Sequence, residues 1–273
     1  MKLVQKILLK IYEFFNKNGL TEKRWFRKIF MFSYFIYKQY IEDPFFGLIK
    51  NKPELFQGGH VLDIGANMGY TSTIFSKVVT PGFKVYAFEP EPTNFVLLNQ
   101  TIDFWKARSK IIPVCAAIGA TDGTVDLWYN ERNHADHRIV TRQYHQSGID
   151  LMKVSLVEMR CIDSFIQSEL IEGSIKFIKI DVQGYELPVC LGMEQTLAAN
   201  SDAVIALEYA PKGILELGFE PKQLLEFFYN KNYFIYILCQ GGYLKIAENG
   251  LIEKMLEERG YIDLICSKQS LLL

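Results

Sequence analysis

The stretch Val61-Leu62-Asp63-Ile64-Gly65-Ala66-Asn67-Met68-Gly69-Tyr70 reads as a strand that stops at a glycine turn and hands the chain to a helix. Apolar residues lead to Asp63 at the strand end, and Gly65 and Gly69 follow four residues apart. Gly65 lets the backbone turn sharply and a ligand approach it; Gly69 lets the next helix pack closely. Asp63 and the helix amino end are then expected to face the crevice beyond the strand's carboxyl edge, where doubly wound sheets bind ligands. Outward from this turn, short apolar runs at 83–88, 110–116, 174–180 and 202–207 alternate with helical segments from the turn to about residue 79, at 91–103 and at 186–198. That βαβα alternation predicts an α/β fold with a doubly wound, mainly parallel sheet covered on both faces. Runs at 233–239 and 261–266, separated by a Gly241-Gly242 turn, predict an antiparallel end to the sheet.

The turn narrows the ligand. A dinucleotide site needs a glycine where Asn67 stands, and no GK[ST] follows to make a phosphate loop. An Asp in the turn suits a cationic or zwitterionic ligand, such as the amino-acid portion of S-adenosylmethionine. Val85-Tyr86-Ala87-Phe88-Glu89-Pro90 places Glu89 at the next strand end, 20 residues after Gly69. A carboxylate there accepts hydrogen bonds from both ribose hydroxyls of an adenosine; the plainer alternative is an acid at a helix start.

These residues, with three further blocks, resemble the FkbM family of S-adenosylmethionine-dependent methyltransferases. The matching pieces are VLDIGANMGYTS, VYAFEPEPTNFVLLNQTI, VCAAIGATDGTVDL, SIKFIKIDVQGYELPVCLGM and VIALEYAP, in that order between residues 60 and 211. The resemblance implies a class I methyltransferase (Rossmann-like) fold and methyl transfer to a hydroxyl of a sugar, glycan or natural product. It implies cofactor contacts at Asp63, Gly65, Ala66, Asn67, Gly69 and Glu89. Gln183 stands where the family more often has Glu, and Gln100 where an Asn commonly ends the helix. Two rival readings are a nicotinamide-dependent oxidoreductase on a similar sheet and a membrane-associated, non-catalytic protein of the same fold.

Acids at strand ends supply the candidates for the reacting centre. Asp181, in Ile178-Lys179-Ile180-Asp181-Val182-Gln183-Gly184, is expected at the carboxyl edge of a central strand, either orienting the acceptor, taking its proton or holding a metal. Glu208 ends the next strand and flanks the same place. A polar excursion at 130–150 carries His134, Asp136, His137 and Arg138 and is expected to be a lid or substrate loop. His137 is a candidate base there, and Arg138 a partner for a carboxylate or phosphate. The His134, Asp136, His137 spacing matches no strong zinc pattern, so no metal site is assigned. His60 reads as structural, and His145 as uninformative.

The 273 residues are 49% hydrophobic and 22% charged, which excludes a disordered polymer. A net charge of −1 argues against whole-protein attraction to nucleic acid. Five cysteines without a CxxC indicate neither a zinc knuckle nor a disulfide framework and suit a reducing cytoplasm. Residues 1–40 carry nine Lys/Arg against two Asp/Glu. They read as the larger part of a helical N-terminal segment over 1–50, ahead of a methyltransferase domain over 51–273. Packing onto that domain is the favoured reading; docking on the inner face of an anionic membrane is the alternative. Lys6, Lys10 and Glu13 interrupt the first turns, leaving no signal core there, and the nine uncharged residues Ile29 to Tyr37 are too short to span a bilayer.

Overall fold

All five residues of strand β1 (His60–Ile64) are buried, as a strand covered on both faces requires. The computed structural model describes residues 32–33, 35–38, 43–130, 136–148 and 150–272, and the chain divides into two units, Met1–Asp43 and Pro44–Leu273. In the first, residues 32, 33 and 35–37 are helical. The remaining helical expectations for 1–40 lie outside the described residues. The helix Phe45–Asn51, which sequence reading joins to the N-terminal segment, belongs to the larger unit.

The larger unit holds β1, β2 (Val85–Phe88), β3 (Ile111–Val114), β4 (Ala117–Ile118), β5 (Gly123–Trp128), β6 (Arg138–Ile139), β7 (Val154–Arg160), β8 (Ile175–Ile180), β9 (Val204–Tyr209), β10 (Phe234–Cys239), β11 (Tyr243–Ile246) and β12 (Ile262–Ser267). Eight form one sheet in the order β11-β10-β12-β9-β8-β1-β2-β3. The pairs among β3, β2, β1, β8 and β9 are parallel, and β12 runs antiparallel to both β9 and β10. The strand order reverses between β1 and β8, so the chain's first ligand turn and Asp181 share one sheet edge. The second sheet, β4-β7-β5-β6, is built largely from the polar excursion and its flanks.

Alternation along the strands divides the core. Leu62, Ile64, Phe88, Ile178 and Ile180 pack with Phe165 and Val189 on one face. On the other, Phe177 meets Phe56 and Phe75 at ring-centroid distances of 4.2 and 5.5 Å. Two predicted helices differ: the one after the turn ends at Phe75, short of residue 79, and 186–198 is two helices, Glu186–Leu191 and Glu194–Ala199. The break in the second follows from tertiary contacts. A Cβ on Gly192 would stand 2.0 Å from the Gly119 carbonyl oxygen, so the chain crosses there without a side chain. Asp163 then starts the second helix by accepting from the Gln195 and Thr196 N–H groups at 3.0 and 2.8 Å.

The same aromatic face carries an ionic core. Asp63 of β1 lies beside Lys179 of β8 in the parallel register, and both are buried. The Lys179 ammonium stands 3.7 Å from Asp63 Oδ1, within ion-pair range although too long for a hydrogen bond, and 3.3 Å from Asp181 Oδ2. Asp63 Oδ2 accepts from Thr71 Oγ1 at 2.7 Å and Ser72 Oγ at 2.5 Å, which ties the helix Tyr70–Phe75 to the strand before it. A buried carboxylate that loses its counter-charge costs about 3–5 kcal/mol. Lys179→Met should therefore lower unfolding free energy by about that amount in urea denaturation. Adding Asp63→Asn to it should recover part of the loss. A Lys179→Met protein as stable as the parent overturns the assignment of this ion pair as a structural anchor.

Candidate active site

The glycine turn is held from three sides. Gly65 and Ala66 donate their N–H groups to the Phe88 carbonyl at 3.1 and 2.9 Å, and the Gly69 N–H closes onto the Ala66 carbonyl at 2.8 Å. Gly65 has φ +79°, and a Cβ there would lie 1.9 Å from the Asp181 carbonyl oxygen. No side chain fits between the two strand ends, so the turn and the Asp181 loop are in direct contact. Asn67 takes the left-handed conformation at φ +50°.

Glu89 stands where sequence reading put it, at the end of β2, and it is bonded to the turn. Its Oε2 accepts the Asn67 N–H at 2.8 Å and its Oε1 the Glu91 N–H at 3.0 Å. Burial pushes its carboxyl up to about 7, against the pull of those two N–H groups. The Asn94 side chain is a third donor to it, which leaves one of the roughly four acceptor positions of a carboxylate for a ribose hydroxyl. The chemistry of this carboxyl therefore fits the adenosine end of S-adenosylmethionine. Glu91 does the helix-start work instead, accepting from the Asn94 N–H at 2.5 Å.

Asp63 is placed differently from expectation. With no exposed surface, it holds the helix after the turn through Oδ2, while Oδ1 accepts no hydrogen bond among the described residues. The signal was in the sequence: Thr71 and Ser72, in the first turn of the next element, are the hydroxyls that bind it.

A second cluster lies along the sheet edge. Asp181 follows β8 and donates its N–H to the Ile64 carbonyl at 3.0 Å. Gln183, in a left-handed conformation at φ +56°, donates its amide to Asp181 Oδ1 at 2.9 Å and to Glu208 Oε1 at 3.3 Å. The loop under them is fixed by buried Glu186, whose Oε1 accepts the Val182 and Gly184 N–H groups at 3.2 and 3.1 Å. Burial raises the Glu186 carboxyl to about 7, against the pull of these N–H groups. Glu208 is pushed well above the usual carboxylate range by burial, then by the charges of Asp181, Asp263 and Glu186, with Lys179 opposing. Asp263 is opposite Glu208 in the β9–β12 register. The structure thus brings Asp181 and Glu208 together, as expected, and adds Gln183, Lys179 and Asp263, to which sequence reading gave no role. Lys179 and Asp263 had a signal: each is a charge flanked by apolar residues in a strand, which calls for a buried partner.

A pocket of about 350 Å³ opens beside this cluster, lined by Gln183 and Glu208 together with Arg138, Glu216 and residues of the 259–261 turn. The described part of the polar excursion forms its wall. Arg138 pairs with Asp136 at 2.7 Å and with Glu216, and Gln143 donates to the Leu215 carbonyl at 3.1 Å. Burial works against the Arg138 charge, yet Asp136 and Glu216 outweigh it and hold its pKa up. His137 is not among the lining residues: Nδ1 accepts the Asn130 N–H at 3.1 Å and the ring packs edge-on to Tyr129. His134 lies outside the described residues. His60 is structural, bonding the Lys84 N–H and the Glu172 carbonyl, and His145 is exposed on a short helix. Among the described residues no group of three or more His, Cys, Asp and Glu is arranged to hold a metal ion, and no helix is long and apolar enough to cross a membrane.

Comparison with known proteins accords with this geometry. Residues 63–262 match the model of the methyltransferase FkbM domain. The chain is 25% identical to methyltransferase sdnD of Sordaria araneosa over 203 residues, covering 66% of this chain and 76% of that protein. It is 26% identical to hexuronic acid methyltransferase AglP of Haloferax volcanii over 166 residues, covering 59% of this chain and 61% of AglP. Among solved structures, methyltransferase FkbM from Methylobacillus flagellatus aligns with a TM-score of 0.47 at 15% identity, covering 77% of this chain and 43% of that one. The family match sets aside the oxidoreductase and non-catalytic readings. A glycine turn bonded to the buried Glu89 carboxyl, followed by a strand-edge acid cluster, is what the match spans: the chain belongs to the FkbM family of S-adenosylmethionine-dependent methyltransferases.

Proposed function

We propose that this methyltransferase acts on a hydroxyl oxygen of a sugar-type acceptor, with Asp181 taking the hydroxyl proton. The observation that carries the reading is the Asp181–Gln183–Glu208 cluster on the sheet edge, touching the Gly65 turn on one side and the pocket on the other. The name of one relative, a hexuronic acid methyltransferase, supports a sugar.

When bound, S-adenosylmethionine supplies an electrophilic methyl on a sulfonium, so alignment and proton removal are the tasks left to the protein. The residues divide those tasks. Glu89 accepts from the ribose, and the 65–69 turn keeps side chains out of the approach. Asp181, with the Lys179 ammonium 3.3 Å away, is the carboxylate that accepts the acceptor's proton. Glu208, held toward its neutral form by burial and the neighbouring acids, has an O–H to donate. Gln183 fixes both carboxyls, so the acceptor oxygen meets a prearranged pair instead of two mobile side chains. The five free thiols suit a reducing cytoplasm.

Two measurements test this. The ionised Glu89 accepts from the ribose, and the protonated form gives up an acceptor. With its carboxyl at about 7, S-adenosylhomocysteine affinity should be level above that pH and fall below it, approaching tenfold per pH unit. Glu89→Gln should bind weakly and lose the pH dependence; calorimetry across this range decides, and a flat profile for the parent protein overturns Glu89 as the ribose ligand.

Methyl transfer to a panel of sugars, read by mass spectrometry, tests the reacting centre. Asp181→Asn should leave S-adenosylhomocysteine affinity unchanged and lower kcat by about 10²-fold, the scale of a lost positioned base. His137→Ala should cost less and act mainly on the acceptor's KM. Normal turnover in Asp181→Asn overturns its role, and a panel without any methylated sugar overturns the acceptor class.

A further inference from the structure

The pocket beside Glu208 is chemically lopsided. Its inner, half-buried end is Gln183 and Glu208, the groups assigned above to the hydroxyl. Its open rim carries Lys212, Arg259 and Tyr261. The charges at this rim differ in how far they are already engaged. Arg138 and Glu216 are committed to each other, and Arg138 to Asp136 as well. Lys212 reaches Glu216 only at 3.9 Å, with 89% of its side chain exposed, a pairing worth little in water. Arg259 ends the helix Asn249–Arg259, is exposed at the rim, and has no ion-pair partner among the described residues. With Glu208 engaged by the Gln183 amide and Glu216 by Arg138, the acids of the lining already have partners, whereas Arg259 is unpaired among the described residues and Lys212 only loosely paired.

We infer that the acceptor carries an anionic group, a carboxylate or a phosphate, which seats on Arg259 with Lys212 beside it while its reacting hydroxyl reaches the Asp181–Gln183–Glu208 end. This rests on the sugar-hydroxyl reading above and adds a second anchor to it. Two anchors on one acceptor fix both its position and its direction. A guanidinium is suited to the outer one because its planar fork bonds either oxyanion bidentately. Long-range attraction from the same rim also draws anions toward the opening.

The test uses the full chain saturated with S-adenosylhomocysteine, whose own binding is measured first. Failure of that binding overturns the cofactor assignment and is thereby distinguished from failure of the inference. Glucuronate, glucose 6-phosphate and glucose are then titrated and followed by ligand-observed NMR. The expected result is that at least one of the two anionic sugars binds about tenfold or more tightly than glucose, the scale of one charge-assisted hydrogen bond. Preference between glucuronate and glucose 6-phosphate identifies the anion as carboxylate or phosphate. Arg259→Gln should abolish the advantage over glucose, and Lys212→Gln should reduce it, with S-adenosylhomocysteine affinity unchanged in both. Lys222→Gln, a lysine that does not line the pocket, should leave it intact. Glucose binding as tightly as both anions, no binding of either anion, or an advantage that survives Arg259→Gln overturns the inference.

Discussion

The ammonium of Lys179 is the charge on which the rest of the structure depends. It is buried between Asp63 of the first strand and Asp181 after the central one, so a single side chain couples the end that holds the turn to the end that holds the acids. Without it, a fully buried carboxylate would face apolar surroundings from which no water can relieve it. Beside it, the hydroxyls of Thr71 and Ser72 both bond Asp63 Oδ2, and the helix after the turn is anchored by side chains in addition to its backbone.

The carboxyls outside this ion pair are tuned by where the compensation stops. Glu89 and Glu186 have backbone N–H groups as their main relief from burial, and both are pushed up to about 7. Glu208 has less relief and more like charge nearby, with Asp181, Asp263 and Glu186 all raising it. Gln183 is the neutral link that lets Asp181 and Glu208 stand close. A glutamate in its place would add a further negative charge to a set already difficult to ionise together.

Much of this was legible in the residues. Strand positions, the antiparallel end and the carboxyl at position 89 are local statements, written in apolar runs and turn residues, and the folded chain keeps them within a residue or two. What escaped was tertiary. The break at Gly192 comes from the Gly119 carbonyl and the cap from Asp163, both distant in sequence. Asp63 reads as a crevice residue because strand-end acids usually are, and only the hydroxyls folded over it show that it faces inward. The pairing of Lys179 with Asp63 needs the parallel register of β1 and β8, which periodicity alone does not give. Arg259 and Lys212 meet at one rim only because β12 is inserted between β9 and β10, bringing the 259–261 turn to the carboxyl edge of its neighbour.

That insertion separates two inventories along the chain. The groups assigned to the nucleoside come from residues 65–91, whereas the pocket wall is assembled from 138, 183, 208–216 and 259–261, with the small sheet fastened to the helix Pro211–Glu216 through Arg138 and Gln143. The two inventories meet where Gly65 touches Asp181 and where Lys179 bridges two carboxylates. Substitutions in the wall can therefore accumulate without disturbing the nucleoside half, provided those few junction residues are kept. The arrangement suits a scaffold that changes what it methylates far more readily than how it is supplied with methyl groups, and grafting the wall segments of one member onto another is the natural way to move specificity between them.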